Sequence, residues 1–354
     1  MDEVPHGPVV HLQAHALILD LWVRFLAELE GWADEAYREA RRAMSMFEDE
    51  NDERGLAKGW SLLGLFHLTK CNFGASEEAW ENAAAHAFAA GDHREWLESL
   101  SWVPLVVWAG RMPVEAAIGR CKDVLARAEG DRKAMSAALF SWGNLEAMRG
   151  RFGESRQLIA QARSALEEVA LTVWSAGPLT EMSALAELWA GDAAAAEREL
   201  RWGVRTLQGT GELAWLPTIA GILAQAIYVQ GRYEEAEAFV RLGERTAGSD
   251  DAYSQGLLRC VRAKILARAG DAEGAVPIAR EAVAIAEPTD FLFLQSFVLD
   301  GLGEVLHIAG LPEEADAALA DAVRLCEQKG FVVGARQARG RQDEAPASGP
   351  KFAP

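Results

Sequence analysis

The sequence is poor in cysteine, has no excess of positive charge and holds no apolar run long enough to cross a membrane. Its four cysteines, Cys71, Cys121, Cys260 and Cys326, lie far apart, with no C-x-x-C pair and no histidine nearby at zinc-finger spacing. That excludes a disulfide scaffold and a structural zinc site, and the four read as small, reduced core residues. The 53 acidic side chains against 35 basic ones leave a formal net charge of -18. Such a charge opposes sequence-independent binding to nucleic acid or anionic lipid and favours basic or neutral partners. No window reaches about 18 uninterrupted apolar residues, so no membrane span is expected. Asp2 and Glu3 stand where a signal peptide carries positive charge, and Asp20 interrupts the apolar run that follows, so a cytoplasmic location is expected.

Catalytic strings are missing as well. No G-x-x-x-x-G-K-[ST] phosphate loop occurs, and the stretch from Gly55 to Gly59 is no substitute for it. The glycines at Gly301 and Gly303 lack a third partner and follow a helical pattern instead of a strand, which excludes a dinucleotide fingerprint. Neither G-x-S-x-G nor H-E-x-x-H is present. His11 and His15 share a helix face, but beyond His6 no further ligand lies at helical spacing, so no metal site is expected. The chain reads as a non-enzyme with no cofactor.

What is present is a recurring corner. GRFGES at Gly150, GDAAAA at Gly191, GRYEEA at Gly231, GDAEGA at Gly270 and GLPEEA at Gly310 each place a helix-stopping glycine before the start of a new helix. The small residue five places on serves as a phase marker: Ala36, Ser76, Ala116, Ser155, Ala196, Ala236, Ala275 and Ala315, at intervals of 40, 40, 39, 41, 40, 39 and 40 residues. In the second unit Cys71 takes the corner-glycine place, and in the third RMPVEA carries one extra residue after Gly110. Seven places beyond the marker a second small residue recurs, at Ala43, Ala83, Ala162, Gly203, Gly243, Ala282 and Ala322, with Asp123 the exception. Small residues two turns apart let two antiparallel helices approach closely. Apolar residues recur at three and four, as in Leu257, Leu258, Val261, Ile265 and Leu266, so each unit is a helical hairpin and no strand is expected. Asp92 and Asp131, each after a helix-ending glycine, and the pairs Asn51-Asp52 and Asp250-Asp251 read as N-caps at the junctions between units.

This pattern resembles the tetratricopeptide repeat, whose signature places L-G in the first helix, a corner glycine seven residues later and an alanine five after that. Leu63-Gly64, Trp142-Gly143 and Leu302-Gly303 match the first place, and Trp60 stands where the repeat has its tryptophan. The period is about 40 residues instead of 34, so each helix gains most of a turn. Longer phrases, among them LGLFHLTKCNFGASEEAWENAAAHA and VRAKILARAGDAEGAVPIAREAVAIAEPTDFLFLQ, look like the C-terminal array of bacterial signalling proteins that join a class III adenylate/guanylate cyclase domain to an AAA-type ATPase. The similarity covers roughly residues 50 to 339, and those catalytic domains are absent from this chain.

The fold expected is all-α: a right-handed α-solenoid of eight TPR-like hairpins and about 16 principal helices over residues 1–339, with first helices lining a concave groove. Residues from 331 form a short cap, 340–354 a disordered tail, and Pro104 and Pro277 bend their helices. The resemblance maps a partner-binding groove onto Phe140, Asn144, Met148, Glu181, Trp189, Gln225, Tyr228, Lys264, Arg268, Asp300, Glu304 and His307. The same places in the first units hold Ile18, Leu21, Phe25, Leu65, Leu68, Val107 and Trp108. Within the groove Lys264 and Arg268, one turn apart, form either a clamp for a carboxylate or the internal partners of Asp300 and Glu304. Trp60, Trp80, Trp142 and Trp202 fall at inter-helix packing places; Trp96, Trp174, Trp215, Tyr253 and Phe293 form an aromatic row near first-helix starts. Apolar residues surround the helix over 10–29, including Leu19, Trp22, Val23, Phe25 and Leu26, so this end is expected to contact an N-terminal domain, a partner or a second copy. The function expected is a scaffold or sensor that binds a protein segment; the alternative is a regulatory region of a nucleotide cyclase or ATPase signalling protein.

Overall fold

The computed structural model describes residues 8–27 and 33–343. Over these residues the chain forms eight helical hairpins and a cap helix, with no strand. The pairs are α1 (Pro8–Ala27) and α2 (Ala33–Glu50), α3 (Glu53–Thr69) and α4 (Phe73–Ala89), α5 (His93–Ala109) and α6 (Val114–Arg127), and α7 (Arg132–Met148) and α8 (Phe152–Glu167). The fifth pair is α9 and α10 (Ala193–Thr210), where α9 comprises Thr172–Trp174, a π segment Ser175–Leu179 and Thr180–Trp189. Then follow α11 (Leu216–Tyr228) and α12 (Tyr233–Thr246), α13 (Ala252–Arg268) and α14 (Ala272–Ala286), α15 (Leu292–Ile308) and α16 (Pro312–Lys329), and the cap α17 (Val332–Asp343). The architecture is a right-handed TPR-like α-solenoid.

The corners work as their residues dictate. Gly150, Gly191, Gly231, Gly270 and Gly310 have φ between 75° and 92°, and Cys71 takes the same left-handed conformation at 52°. Asp52, Asp92, Asp131 and Asp251 each accept the backbone N–H three residues on, which satisfies one orphan donor of the helix that follows. The L-G glycines admit side chains of the partner helix: a Cβ on Gly64 would lie 2.6 Å from the Trp80 ring, and one on Gly303 2.6 Å from Leu319. The extra residue after Gly110 shifts the third unit by one place. Its buried small residue is Ala117 and not Ala116, followed by Val124, while Ala116 and Asp123 face solvent. That accounts for Asp123 as the exception.

Several other expectations are revised. Helix α17 continues four residues past Arg339, because Arg341 is anchored to Asp300 and Glu304 at 2.9 and 3.5 Å; the tail from 344 onward lies outside the described residues. Pro104 and Pro277 do sit inside helices. Pro178, which has no N–H for the α ladder, falls in the π segment of α9. Trp80 is buried, but Trp202 is exposed. In α1, Ile18 and Leu21 are buried against the second hairpin, while Leu12 and Leu19 face solvent. The side chains of Trp22, Val23, Phe25 and Leu26 lie outside the described residues.

The superhelix closes on itself. The Asp290 carboxylate accepts the backbone N–H groups of Phe73 and Gly74 at 2.6 and 2.7 Å, and its own N–H donates to the Cys71 carbonyl at 3.1 Å. Farther along, the Lys329 ammonium donates to the carbonyls of Val107, Gly110 and Met112 at 3.1, 2.6 and 2.8 Å. An acid thus caps the start of α4 and a lysine the end of α5, both from the far end of the chain. Aromatic rings fill the seam, with Phe73 and Trp108 against Phe291, and Trp189 against Phe331.

Candidate functional site

Closure changes what the inner face can do. Phe140 and Asn144 are fully buried, and Asn144 links two first helices by accepting from Trp108 Nε1 at 2.6 Å and donating to the Met182 carbonyl at 2.7 Å. Met148 is buried, and Trp189 packs on Phe293 and Phe331. Lys264 is also buried, bonded to Gln225 and lying over the Phe297 and Tyr228 rings. Arg268 pairs with Glu304 at 2.7 Å, Tyr228 donates to the same carboxylate at 2.6 Å, and Asp300 pairs with Arg341. His307 lies 3.5 Å from Asp316 of the neighbouring helix. Of the internal pairings expected, Arg268–Glu304 is present, whereas Lys264 meets Gln225 and Asp300 meets Arg341. Arg341 was missed because it lies in the segment assigned to the tail.

Four of the mapped inner-face residues, Leu65, Leu68, Trp108 and Glu181, meet around one pocket. Inside the closed turn is a cavity of about 220 Å3 with Glu181 in its wall. Helix α3 supplies Leu65, Phe66 and Leu68, the next corner Cys71 and Phe73, and α5 Trp102, Leu105 and Trp108. Opposite them stand Met182 from α9, Trp215 and Thr218 from the start of α11, Asp250, Asp251 and Tyr253 from the start of α13, and Phe291. Trp215 reaches its place because Gly177 has no side chain; a Cβ there would meet the indole at 2.7 Å. Leu213 and Ala214 are exposed at the rim.

The electrostatics of this cavity centre on Glu181, which is 2% exposed. The Tyr253 hydroxyl donates to Oε1 at 2.9 Å. Burial pushes the Glu181 carboxyl up to about 7; the Tyr253 bond opposes this and Asp251 adds to it. Burial raises Asp251 as well, although Ser254 holds its carboxylate by a backbone N–H at 3.0 Å. Five glutamates are buried among the described residues. Glu95 pairs with Lys58, Glu146 with Arg149 and Arg151, Glu197 with Arg201 and Arg232, and Glu304 with Arg268. Glu181 alone of the five has no cation among the described residues. Burying a carboxylate without a cation is costly, and the raised pKa is how that cost is expressed.

Trp215 and Tyr253 of the aromatic row and Glu181, Leu65, Leu68 and Trp108 of the groove set all reach the cavity. Phe66, Trp102, Cys71 and Phe291 were not anticipated. No group of histidine, cysteine, aspartate and glutamate among the described residues could hold a metal ion. No helix among them is long and apolar enough to cross a membrane.

No family model matches the sequence, and no curated protein matches it. Solved structures share the fold. A Rap protein complexed with Competence and Sporulation Factor superposes with a TM-score of 0.71 at 12% identity, covering 93% of this chain and 89% of that one. The Rap conjugation gene regulator of the plasmid pLS20, in complex with the Phr* peptide, gives 0.59 at 13% identity over 92% and 99%. Yeast Tom70 gives 0.52 at 14% identity, over 94% of this chain and 65% of that one. At such identities the likeness carries the TPR-like fold alone.

Proposed function

We propose that the chain is a non-enzymatic interaction module, a sensor or scaffold that takes a short peptide or a partner's segment into the interior of its superhelix. The observation that carries this is the half-open cavity of about 220 Å3 where the turn closes, with aromatic residues and a buried carboxylate in its wall. A concave, mostly apolar pocket with a few convergent polar groups is where a ligand is expected to bind. Two proteins of the same fold, at low identity, were solved with Competence and Sporulation Factor and with the Phr* peptide, which supports a bound ligand here. Panning a random pentapeptide library on the purified protein tests it. Retained peptides should lose binding to Ala214→Trp, which plugs the exposed rim; no retained peptide, or retention by the plugged variant alike, overturns the reading.

A second reading rests on phrase order. The resemblance over roughly residues 50 to 339 favours an array that regulates cyclase or ATPase domains supplied by another chain. Addition of this protein to such a catalytic domain should change its turnover, and unchanged rates would dismiss the reading. Association through residues 10–29 belongs to the same proposal, supported by Leu12 and Leu19, each 65% exposed. Leu19→Glu should then lower the mass seen by analytical ultracentrifugation; an unchanged mass counts against it.

A further inference from the structure

We infer that the interior cavity selects an organic cation, a guanidinium or alkylammonium group, held between Glu181 and the indole rings of Trp108 and Trp215. The inference rests on the proposal that the cavity is a ligand site, and adds the class of group it takes.

Three independent features point the same way. Every other buried glutamate among the described residues has a lysine or arginine partner, whereas Glu181 faces the cavity with a single hydrogen bond, from Tyr253. A buried carboxylate is stable as an anion only with a cation beside it, so the missing partner is one the ligand can supply. The walls include the indole rings of Trp102, Trp108 and Trp215, and such rings attract a desolvated cation through their quadrupoles. The same chain already uses that contact elsewhere, with Lys122 over Trp142 at 4.5 Å and Lys133 over Trp174 at 4.3 Å. Third, Asp250 and Asp251 also line the cavity, and the whole chain carries -18; an anion entering would meet repulsion and a cation attraction. The volume of about 220 Å3 suits one long side chain or a small amine more than a whole peptide, so a peptide would insert a single arginine or lysine and lay its backbone at the rim.

Tryptophan fluorescence reads the site directly, because Trp102, Trp108 and Trp215 line it. The probes are agmatine, the end-blocked pentapeptide Gly-Ala-Arg-Ala-Gly and its citrulline counterpart, which keeps the shape and loses the charge. The arginine peptide should give a saturable change and bind at least about tenfold more tightly than the citrulline peptide, roughly 1.4 kcal/mol. Glu181→Gln, which keeps an acceptor for Tyr253, should abolish that preference while remaining folded. Agmatine binding as tightly as the peptide assigns the cation to a free amine; tighter peptide binding assigns it to a side chain. Equal affinity of the citrulline and arginine peptides, or a preference that survives Glu181→Gln, overturns the inference. Library peptides that need the open cavity but contain no lysine or arginine overturn it too, and leave the proposed function standing.

Discussion

Asp290 caps a helix that begins 217 residues before it: its carboxylate accepts the Phe73 N–H at 2.6 Å. The residue at the ordinary N-cap place, Asn72, makes no side-chain cap bond. The start of α4 therefore relies on a distant acid, and helix and ring closure share one interaction. Such a cap contributes about 0.5 to 2 kcal/mol.

Asp290→Ala should accordingly lower stability by about 1 kcal/mol and speed amide exchange at Phe73 and Gly74 well beyond that of neighbouring corners. Exchange at those two amides that matches the native protein would show that the turn is open in solution.

The second clasp has a pH signature. Burial pushes the Lys329 ammonium down to about 7 from the usual 10.5. Between those values the folded protein holds fewer protons than the unfolded chain, so stability should rise with pH across that window. The buried thiols act in the opposite sense, but only as pH approaches and passes their ordinary value of 9.0. Denaturation at pH 7 and pH 8 in a Glu181→Gln background, which removes the opposing carboxyl raised to about 7, thus isolates the lysine. Lys329→Met should lose the rise and, by leaving the carbonyls of Val107, Gly110 and Met112 unpaired, cost about 1 to 3 kcal/mol at pH 8. A variant with native stability and the same slope would remove the clasp from the account.

Lys264 was a natural candidate for a ligand clamp, and its burial reverses what a substitution should do. It is 3% exposed and bonded to Gln225. Lys264→Glu would bury a second carboxylate near Glu304 and is expected to cost about 3 to 5 kcal/mol, seen as a large fall in the denaturation midpoint. Arg268→Glu, whose parent side chain is 44% exposed, should cost far less. Comparable small effects at both sites would mean that the inner face is solvated.

Period, corners and hairpins were legible because their causes are local. A left-handed corner needs a glycine or a tolerated substitute, and Cys71 fills that role at φ 52°. A close helix crossing needs a missing Cβ, as at Gly64 beneath the Trp80 ring. Closure was not legible, because it depends on a small rotation per unit accumulated over several units. Asp290 and Lys329 accordingly read as ordinary junction charges. The single inserted residue after Gly110 was visible, but its effect on phase emerged only from Ala117 replacing Ala116 in the core. Glu181 was placed on the inner face from the repeat register. Its lack of a cation was hidden, since partners such as Arg268 and Glu304 lie 36 residues apart and pairing is settled only by the assembled turn.

Glu181 supplies the last prediction, in which stability and binding move in opposite directions with pH. Its carboxyl is raised to about 7 from 4.5, so between those values the folded protein holds more protons than the unfolded chain and stability should fall as pH rises. The groups facing it are Tyr253 and Asp251 from the start of α13 and Cys71 from the α3–α4 corner. The Tyr253 phenol and Cys71 thiol are pushed above their ordinary values and stay neutral through this window; Asp251 is raised in the same sense and adds to the slope. Glu181→Gln should be close to native at pH 4.5 and more stable than native at pH 8, by an amount on the order of a few kcal/mol. A cation needs the ionised carboxylate, so affinity for the arginine pentapeptide should strengthen about tenfold for each unit of pH below about 7 and level off above it. Calorimetry across pH 5 to 8 reads both quantities in one sample. Binding that stays flat while stability falls would leave Glu181 a strained core residue and no recognition element.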